Sequence, residues 1–221
     1  MEIRDKPEHD PVVDMPVLDA YMRWALLATE EVVGRNGLAV LLRQIGLERL
    51  INNYPPEQLK FATGLTLGEY ASFNADLINF FGRAARSMTL RIGRQSARHG
   101  IEHQGALFGT AALLASKVLP ISTQIKMGLS AMQLGFRRVS EAAGFKRNLA
   151  LEDRGDAWAY LDQDCPFSAG KLADEPIGTI QIGILQETLR WQTGKEFEVE
   201  QVACRSMGAP ASIWLVHKTP K

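Results

Sequence analysis

The chain has 221 residues, of which 46% are hydrophobic and 23% are charged, as in an ordinary soluble globular protein. A chain of this length buries enough apolar surface to fold without disulfides or a structural metal. Its 25 basic and 25 acidic residues give a net charge of zero, which argues against a generally basic nucleic-acid-binding protein and against a disordered acidic segment.

The cysteines and the apolar stretches indicate a cellular compartment. Cys165 and Cys204 are too few for a disulfide framework, and residues 1–16 lack the apolar segment of a signal peptide. The most apolar stretch, residues 105–136, is divided by two lysines and a proline into pieces shorter than a membrane-spanning helix. We therefore expect a cytoplasmic protein without a membrane span.

Charge divides the chain into two parts. Residues 1–148 carry 18 basic and 14 acidic side chains, whereas residues 149–221 carry 7 and 11. The secondary-structure pattern changes at the same place. We therefore predict an irregular lead-in over residues 1–17 and a single ligand-binding domain over 18–221, with a helical part (18–147) followed by a strand-helix-strand part (148–221).

The first part has helical periodicity throughout. The pattern predicts a helix from Asp19 to Asn36 ended by Gly37, one or two short helices over 38–50, one long helix over 66–99, an all-apolar buried helix over 104–119, and a helix over 120–143.

The second part alternates between short strands and one helix. Strands are predicted at 148–153 and 157–161 around a turn at 154–156, and again at 197–203 and 213–217. The helix between them is expected to start at Asp174-Glu175-Pro176 and to end at Gly194. These elements predict an α+β fold, in which a helical N-terminal layer packs on a C-terminal antiparallel sheet.

Five arginines share one face of the helix predicted over 66–99: Arg83, Arg86, Arg91, Arg94 and Arg98. The apolar stripe of the same helix lies roughly 120° away. The arginine face favours contact with solvent, with the acidic C-terminal part or with a second subunit. Nucleic-acid binding is less favoured, because no aromatic residues alternate with the arginines as stacking platforms.

The sequence shows no recognised catalytic motif. It has no phosphate-binding glycine loop, no HExxH, no CxxC pair and no GxSxG, which favours a non-enzymatic protein. His99 and His103 are one helical turn apart and could share a metal ion. Gly100 lies between them and weakens the helix, so no metal site is predicted.

The helices carry a set of large apolar side chains that form either an ordinary core or a pocket for an apolar ligand. Composition does not separate these alternatives. The set contains Trp24, Phe73, Phe80, Phe81, Met88, Phe108, Met127, Met132 and Phe136.

The C-terminal part contains a series of short motifs in a characteristic order. Asp174-Glu175-Pro176-Ile177, a helix ending in Trp191-Gln192-Thr193-Gly194, and the run from Val199 to Pro210 follow one another. This order resembles the 4-vinyl reductase (hydrocarbon-binding) domain family, and the segments 30–38 and 90–94 look like the helical half of that family.

The resemblance implies a ligand-binding fold of the type found in NO-signalling and Golgi-transport domains, often dimeric, with an apolar cavity. Relatives include aromatic-sensing input domains, a bacteriochlorophyll-synthesis accessory protein and Bet-type vesicle-tethering subunits. The sensors bind zinc at positions that here read Gly178, Gln201, Cys204 and Ser212. Since only Cys204 could be a ligand, we predict that the zinc site is lost and that the domain has no cofactor.

Three hypotheses follow from the residues and the resemblance. The leading one is a non-enzymatic homodimer that binds or senses a small hydrophobic molecule. The alternatives are a scaffold similar to the vesicle-tethering subunits and an accessory role in tetrapyrrole reduction. The predicted ligand-binding residues are Phe73, Phe80, Phe81, Met88, Phe108, Met132 and Phe136, and the predicted interface residues are Arg83, Arg86 and Arg94.

Overall fold

A computed structural model describes residues 2–105 and 116–221. Its helices are α1 (Asp19–Gln44), α2 (Leu67–Phe81), α3 (Ala85–Gln104), α4 (Ile121–Ala142) and α5 (Thr179–Thr193). Its strands are β1 (Ile3–Asp5), β2 (Leu149–Asp153), β3 (Ala157–Asp162), β4 (Lys171–Ala173), β5 (Phe197–Ala203) and β6 (Ser212–Pro220). The predicted α+β fold, with its helical N-terminal part and C-terminal antiparallel sheet, is confirmed.

The main sheet has four antiparallel strands in the order β2-β3-β6-β5. Alternate residues of β5 and β6 are buried, among them Val199, Trp214 and Val216, as expected for a sheet with one face on the core. α5 packs on β5 and on α3. It therefore joins the sheet to the helical layer.

Glycines change two of the predicted helix boundaries. α1 continues past Gly37 to Gln44 but is kinked at Gly34, whose φ of 75° lies in the left-handed region. The helix predicted over 66–99 is two helices, because Gly82 adopts a φ of 52° between α2 and α3. The periodicity was continuous across Gly82 and gave no sign of the break.

The N-terminal lead-in is more ordered than predicted. Residues 3–5 form β1 and pair with β4, and Pro11–Asp14 form a 3-10 helix. The Asp10 carboxylate accepts hydrogen bonds from Arg205 at 3.0 and 3.1 Å and from the backbone N–H of Gly170 at 3.2 Å. These long-range contacts hold the N-terminal lead-in (residues 1–17) against the C-terminal part. Local sequence patterns cannot predict contacts between residues so far apart in the chain.

Of two other predicted helices, one starts later than expected and one lies mainly outside the described residues. α5 begins at Thr179 after Gly178 rather than at Asp174-Glu175-Pro176, although its predicted end at Gly194 is confirmed. The buried helix predicted over 104–119 lies mainly outside the described residues. Within residues 2–105 and 116–221, no helix combines the length and the apolarity that crossing a membrane requires.

Candidate functional site

An apolar pocket lies where α1, α3, α4 and α5 meet. Its cavity volume is about 50 Å³. Four large side chains contribute to its wall: Trp24 from α1, Met132 and Phe136 from α4, and Trp191 from α5. Because each of the four helices contributes to the wall, the pocket forms only when the helices pack together.

Small residues on α3 make room for the pocket. Ser96, Ala97 and Gly100 line it on one side, and a Cβ on Gly100 would lie only 3.1 Å from the Trp24 ring. The Trp24 Nε1–H donates a hydrogen bond to Glu57 Oε1 at 2.7 Å. The polar end of the indole is therefore satisfied, and its apolar face is left to the pocket.

A second pocket of about 40 Å³ shares Tyr21 and Phe136 with the first. The two rings meet edge to face, with centroids 5.6 Å apart and an interplanar angle of 85°. Tyr21 also stacks on Tyr70 at 5.1 Å. Burial holds the pKa of the Tyr21 phenol well above its usual range, so this ring stays neutral between the two pockets.

The second pocket has a polar side. Its wall includes Arg147, Tyr160 and Asp162. The Arg147 guanidinium donates to both carboxylate oxygens of Asp162, at 3.0 and 3.3 Å, and to the carbonyl of Asp164. Burial raises the pKa of Asp162, although the adjacent Arg147 opposes that effect. The Tyr21–Phe136 pair therefore borders both an apolar pocket and a pocket with a hydrogen-bonding side.

The predicted ligand-binding residues are only partly brought together. Met132 and Phe136 line the first pocket. Phe73 is fully buried near Tyr70, and Phe80 is 47% exposed beside Phe81, at the other end of the helical layer. Met88 is half-buried on α3, and residue Phe108 lies outside the described residues.

Sequence periodicity missed much of the pocket wall. Ala97, Gly100 and Thr188 are too small or too polar to stand out in a search for aromatic clusters, yet each lines the pocket. The largely apolar wall arises from the faces that the helices bring together, and the way the helices cross decides which faces these are.

The predicted interface arginines differ in their surroundings. Arg94 donates to both Glu196 oxygens, at 2.9 and 2.8 Å, and to Gln186 at 2.8 Å. Its guanidinium is therefore occupied within the chain, by the acidic C-terminal part. Arg83 and Arg86 are exposed, and their role in an interface stays a prediction.

The four positions equated with zinc ligands in the related sensors form two pairs. The Gly178 N–H donates to Gln201 Oε1 at 2.8 Å, and the Cys204 Sγ lies 3.0 Å from Ser206 Oγ and 4.0 Å from Ser212 Oγ. In place of a thiolate-rich ligand set, one hydrogen-bonded pair lies at the start of α5 and the other at the β5–β6 hairpin.

Both pairs lie in the segment of the chain that matches a protein family. Residues 163–212 match the V4R domain. The match covers β4, α5, β5 and the hairpin into β6, and confirms the resemblance drawn from the motifs of this segment. No curated protein matches the chain.

Solved structures of H-NOX domains share the fold over nearly the whole chain. An oxygen-binding H-NOX domain related to soluble guanylate cyclases is 12% identical with a TM-score of 0.57, covering 92% of this chain and 96% of that one. A mutant of T. tengcongensis H-NOX is 12% identical with a TM-score of 0.56, covering 92% and 99%. An S. oneidensis H-NOX protein in the Fe(II)NO ligation state is 8% identical with a TM-score of 0.52, covering 90% and 98%.

These neighbours overturn the prediction of a domain without a cofactor. Two of the structures with this fold concern heme redox potential and heme distortion in H-NOX proteins, so heme is the cofactor that this fold suggests. The two pockets that flank Phe136 do not fit heme in this conformation. The larger of them has about 50 Å³, far below the ~300 Å³ of a small ligand site, and no histidine lines either pocket.

Proposed function

We propose that this domain binds a small, largely apolar molecule in the pocket between α1, α3, α4 and α5, without acting as an enzyme. The observation that carries the proposal is the composition of the wall, where Trp24, Met132, Phe136 and Trp191 face small residues of α3. Ligand sites typically combine apolar and aromatic walls with a few polar groups. The match of residues 163–212 to the V4R domain, the 4-vinyl reductase (hydrocarbon-binding) family that the sequence motifs resemble, supports the same function.

Binding requires the pocket to open, because about 50 Å³ is well below the ~300 Å³ of a typical ligand site. Tyr21 and Phe136 both line the two pockets, so movement of this ring pair would join them. The joined space would offer an apolar region beside Trp24 and a hydrogen-bonding end near Asp162. A ligand with an apolar body and one polar group would suit it.

The direct test combines native mass spectrometry of the freshly purified protein with titration of a fluorescent naphthalene probe. Ala97→Val adds two methyl groups at the pocket wall and should weaken probe binding at least fivefold. The matched control is Leu134→Ala, which removes an apolar side chain from α4 that is 45% exposed. If the probe binds the pocket, this control should change its affinity less than twofold.

Two results would contradict the proposal. One is saturable probe binding that falls with Leu134→Ala and not with Ala97→Val. The other is the absence both of a bound molecule in the native mass spectrum and of saturable probe binding. Hemin is the second probe: a Soret shift that Met132→Leu or Tyr21→Phe abolishes would make the guest a heme rather than a smaller apolar molecule.

A further inference from the structure

Two histidines and two glutamates meet where the C-terminal end of α3 lies beside α1. The ligand atoms of His99, Glu102 and His103 all lie within 4.8 Å of one another. The Glu31 carboxylate of α1 approaches the same place, with its Oε1 2.8 Å from His99 Nε2. Two imidazoles and one carboxylate therefore converge on the surface, and a second carboxylate, that of Glu31, lies against His99.

The helix is regular at this point, contrary to the expectation that Gly100 would weaken it. α3 continues to Gln104, and Gly100 is needed because a Cβ there would press on the Trp24 ring at 3.1 Å. The spacing of four residues therefore places His99 and His103 on one face. Their ring centroids are 6.1 Å apart and their planes differ by 31°.

The hydrogen bond of His103 leaves its outer nitrogen available. His103 Nδ1 lies 2.9 Å from the backbone carbonyl of His99. A carbonyl can only accept, so Nδ1 carries the proton and Nε2 presents its lone pair. Histidines that bind metals are commonly oriented by such a bond from the other ring nitrogen to a backbone carbonyl.

The Glu31 carboxylate is oriented by a chain of hydrogen bonds. Its second oxygen accepts from Gln95 Nε2 at 2.8 Å. The Gln95 Oε1 in turn accepts from Arg98 at 2.8 Å, and Arg98 donates to the buried Glu187 of α5. One carboxylate oxygen is thereby fixed, and the other is aimed at His99.

We propose that His99, Glu102 and His103 bind a transition-metal ion of the zinc class, with Glu31 as a fourth ligand. Imidazole and carboxylate are common zinc ligands, and zinc prefers four of them in a tetrahedron. The Glu31 carboxylate can only accept, so His99 Nε2 carries the proton of their hydrogen bond; the metal takes the place of this proton, which leaves to solvent. Zn–N and Zn–O distances of ~2.0–2.2 Å also require the two atoms to separate from 2.8 Å to about 3.4 Å. The Glu31 side chain is 43% exposed and can make that shift.

The metal would connect α1 to α3 through side chains, outside the two pairs formed by Gly178, Gln201, Cys204 and Ser212. It does not depend on the apolar pocket, so the failure of either proposal leaves the other standing.

The test is calorimetric titration of Zn²⁺ into the untagged, chelator-treated full chain. We expect one ion per chain and at least a tenfold loss of affinity in His103→Ala, with a smaller loss in Glu31→Gln. His217→Ala is the matched control, since His217 also lies beside a glutamate, with its Nε2 3.3 Å from Glu200 Oε1. It should bind Zn²⁺ as the unsubstituted chain does.

Three results would overturn the proposal: no saturable binding below millimolar Zn²⁺, unchanged affinity in His103→Ala, or an equal loss in His217→Ala. Circular dichroism of the metal-free variants checks that each is folded. If His103→Ala does not fold, Co²⁺ titration of the unsubstituted chain decides the matter. Visible bands of tetrahedral cobalt that one equivalent of Zn²⁺ removes support the site, and their absence contradicts it.

Discussion

Gly93 of α3 and Gly183 of α5 lie against each other's backbone. A Cβ on Gly93 would stand 2.1 Å from the carbonyl oxygen of Ile180, and one on Gly183 would stand 2.3 Å from that of Leu90. No side chain of a larger residue fits such a crossing. This contact joins the helical layer to the helix that lies on the sheet, and so sets the position of Ile184 and Trp191 in the pocket wall.

We predict that Gly93→Ala lowers the free energy of unfolding by about 3 kcal/mol, the upper end of the cost of overpacking, because backbone atoms must move. Urea unfolding followed by circular dichroism measures the change. The control is Arg91→Ala, two residues away on the exposed face of α3, which should stay within about 0.5 kcal/mol. Equal stability of the two variants would mean that the helices are not in close contact.

Asp10 should make stability depend on pH. Burial alone would raise the pKa of this carboxyl, but hydrogen bonds from Arg205, Gly170 and Lys6 lower it well below the ordinary value of 3.8. A group with a depressed folded-state pKa stabilises the fold above its unfolded-state pKa, and that contribution is lost as pH falls below about 4. Asp10→Asn should therefore be less stable by roughly 3–5 kcal/mol at pH 7, since it leaves Arg205 without its partner.

Urea unfolding of the chain and of Asp10→Asn, at pH 7 and at pH 3, tests this linkage. The difference in unfolding free energy between the two proteins should shrink at pH 3. Asp14→Asn serves as the control, because the Asp14 side chain is 72% exposed beside His9, and it should change stability by less than about 1 kcal/mol. A difference for Asp10→Asn that stays constant with pH would contradict the assignment.

The part of the fold that sequence patterns predicted is the part set by local periodicity. The turn at 154–156 and the end of α5 at Gly194 agree with the structure, because alternation and a left-handed glycine act on neighbouring residues. The break at Gly82 and the kink at Gly34 were not predicted, because a glycine inside a helical pattern is compatible both with a continuous helix and with an interrupted one. Tertiary packing decides between them.

The pocket shows even more clearly that local sequence patterns do not predict tertiary packing. Met132 and Phe136 were identified because large apolar residues recur along α4. The opposite wall consists of Ala97 and Gly100, whose contribution is the space they leave. Such space depends on the approach of α1 to α3, and a residue pattern within one segment holds no information about that approach.

The predicted homodimer has a candidate surface at the start of α3. Arg83 and Arg86 are exposed, and the neighbouring Phe80 ring is 47% exposed. We expect the double variant Arg83→Glu, Arg86→Glu to shift the protein from dimer to monomer in light scattering after size-exclusion chromatography. Arg94→Ala should leave the dimer intact and lower thermal stability, since its partners are Glu196 and Gln186. If the unsubstituted chain is a monomer in the same measurement, the predicted homodimer is wrong.

The two thiols should be inert in the native state. Cys165 and Cys204 are both buried and unpaired, and burial raises the pKa of Cys165 to about 12. Since the thiolate is the nucleophile, modification by a disulfide reagent at pH 8 should proceed only through opening of the fold, and its rate should rise with urea. Ser87→Cys, which adds an exposed thiol on α3, should react within the mixing time and calibrates the assay. Rapid modification of either native cysteine would show that the region around β3 and the β5–β6 hairpin opens far more readily than its burial indicates.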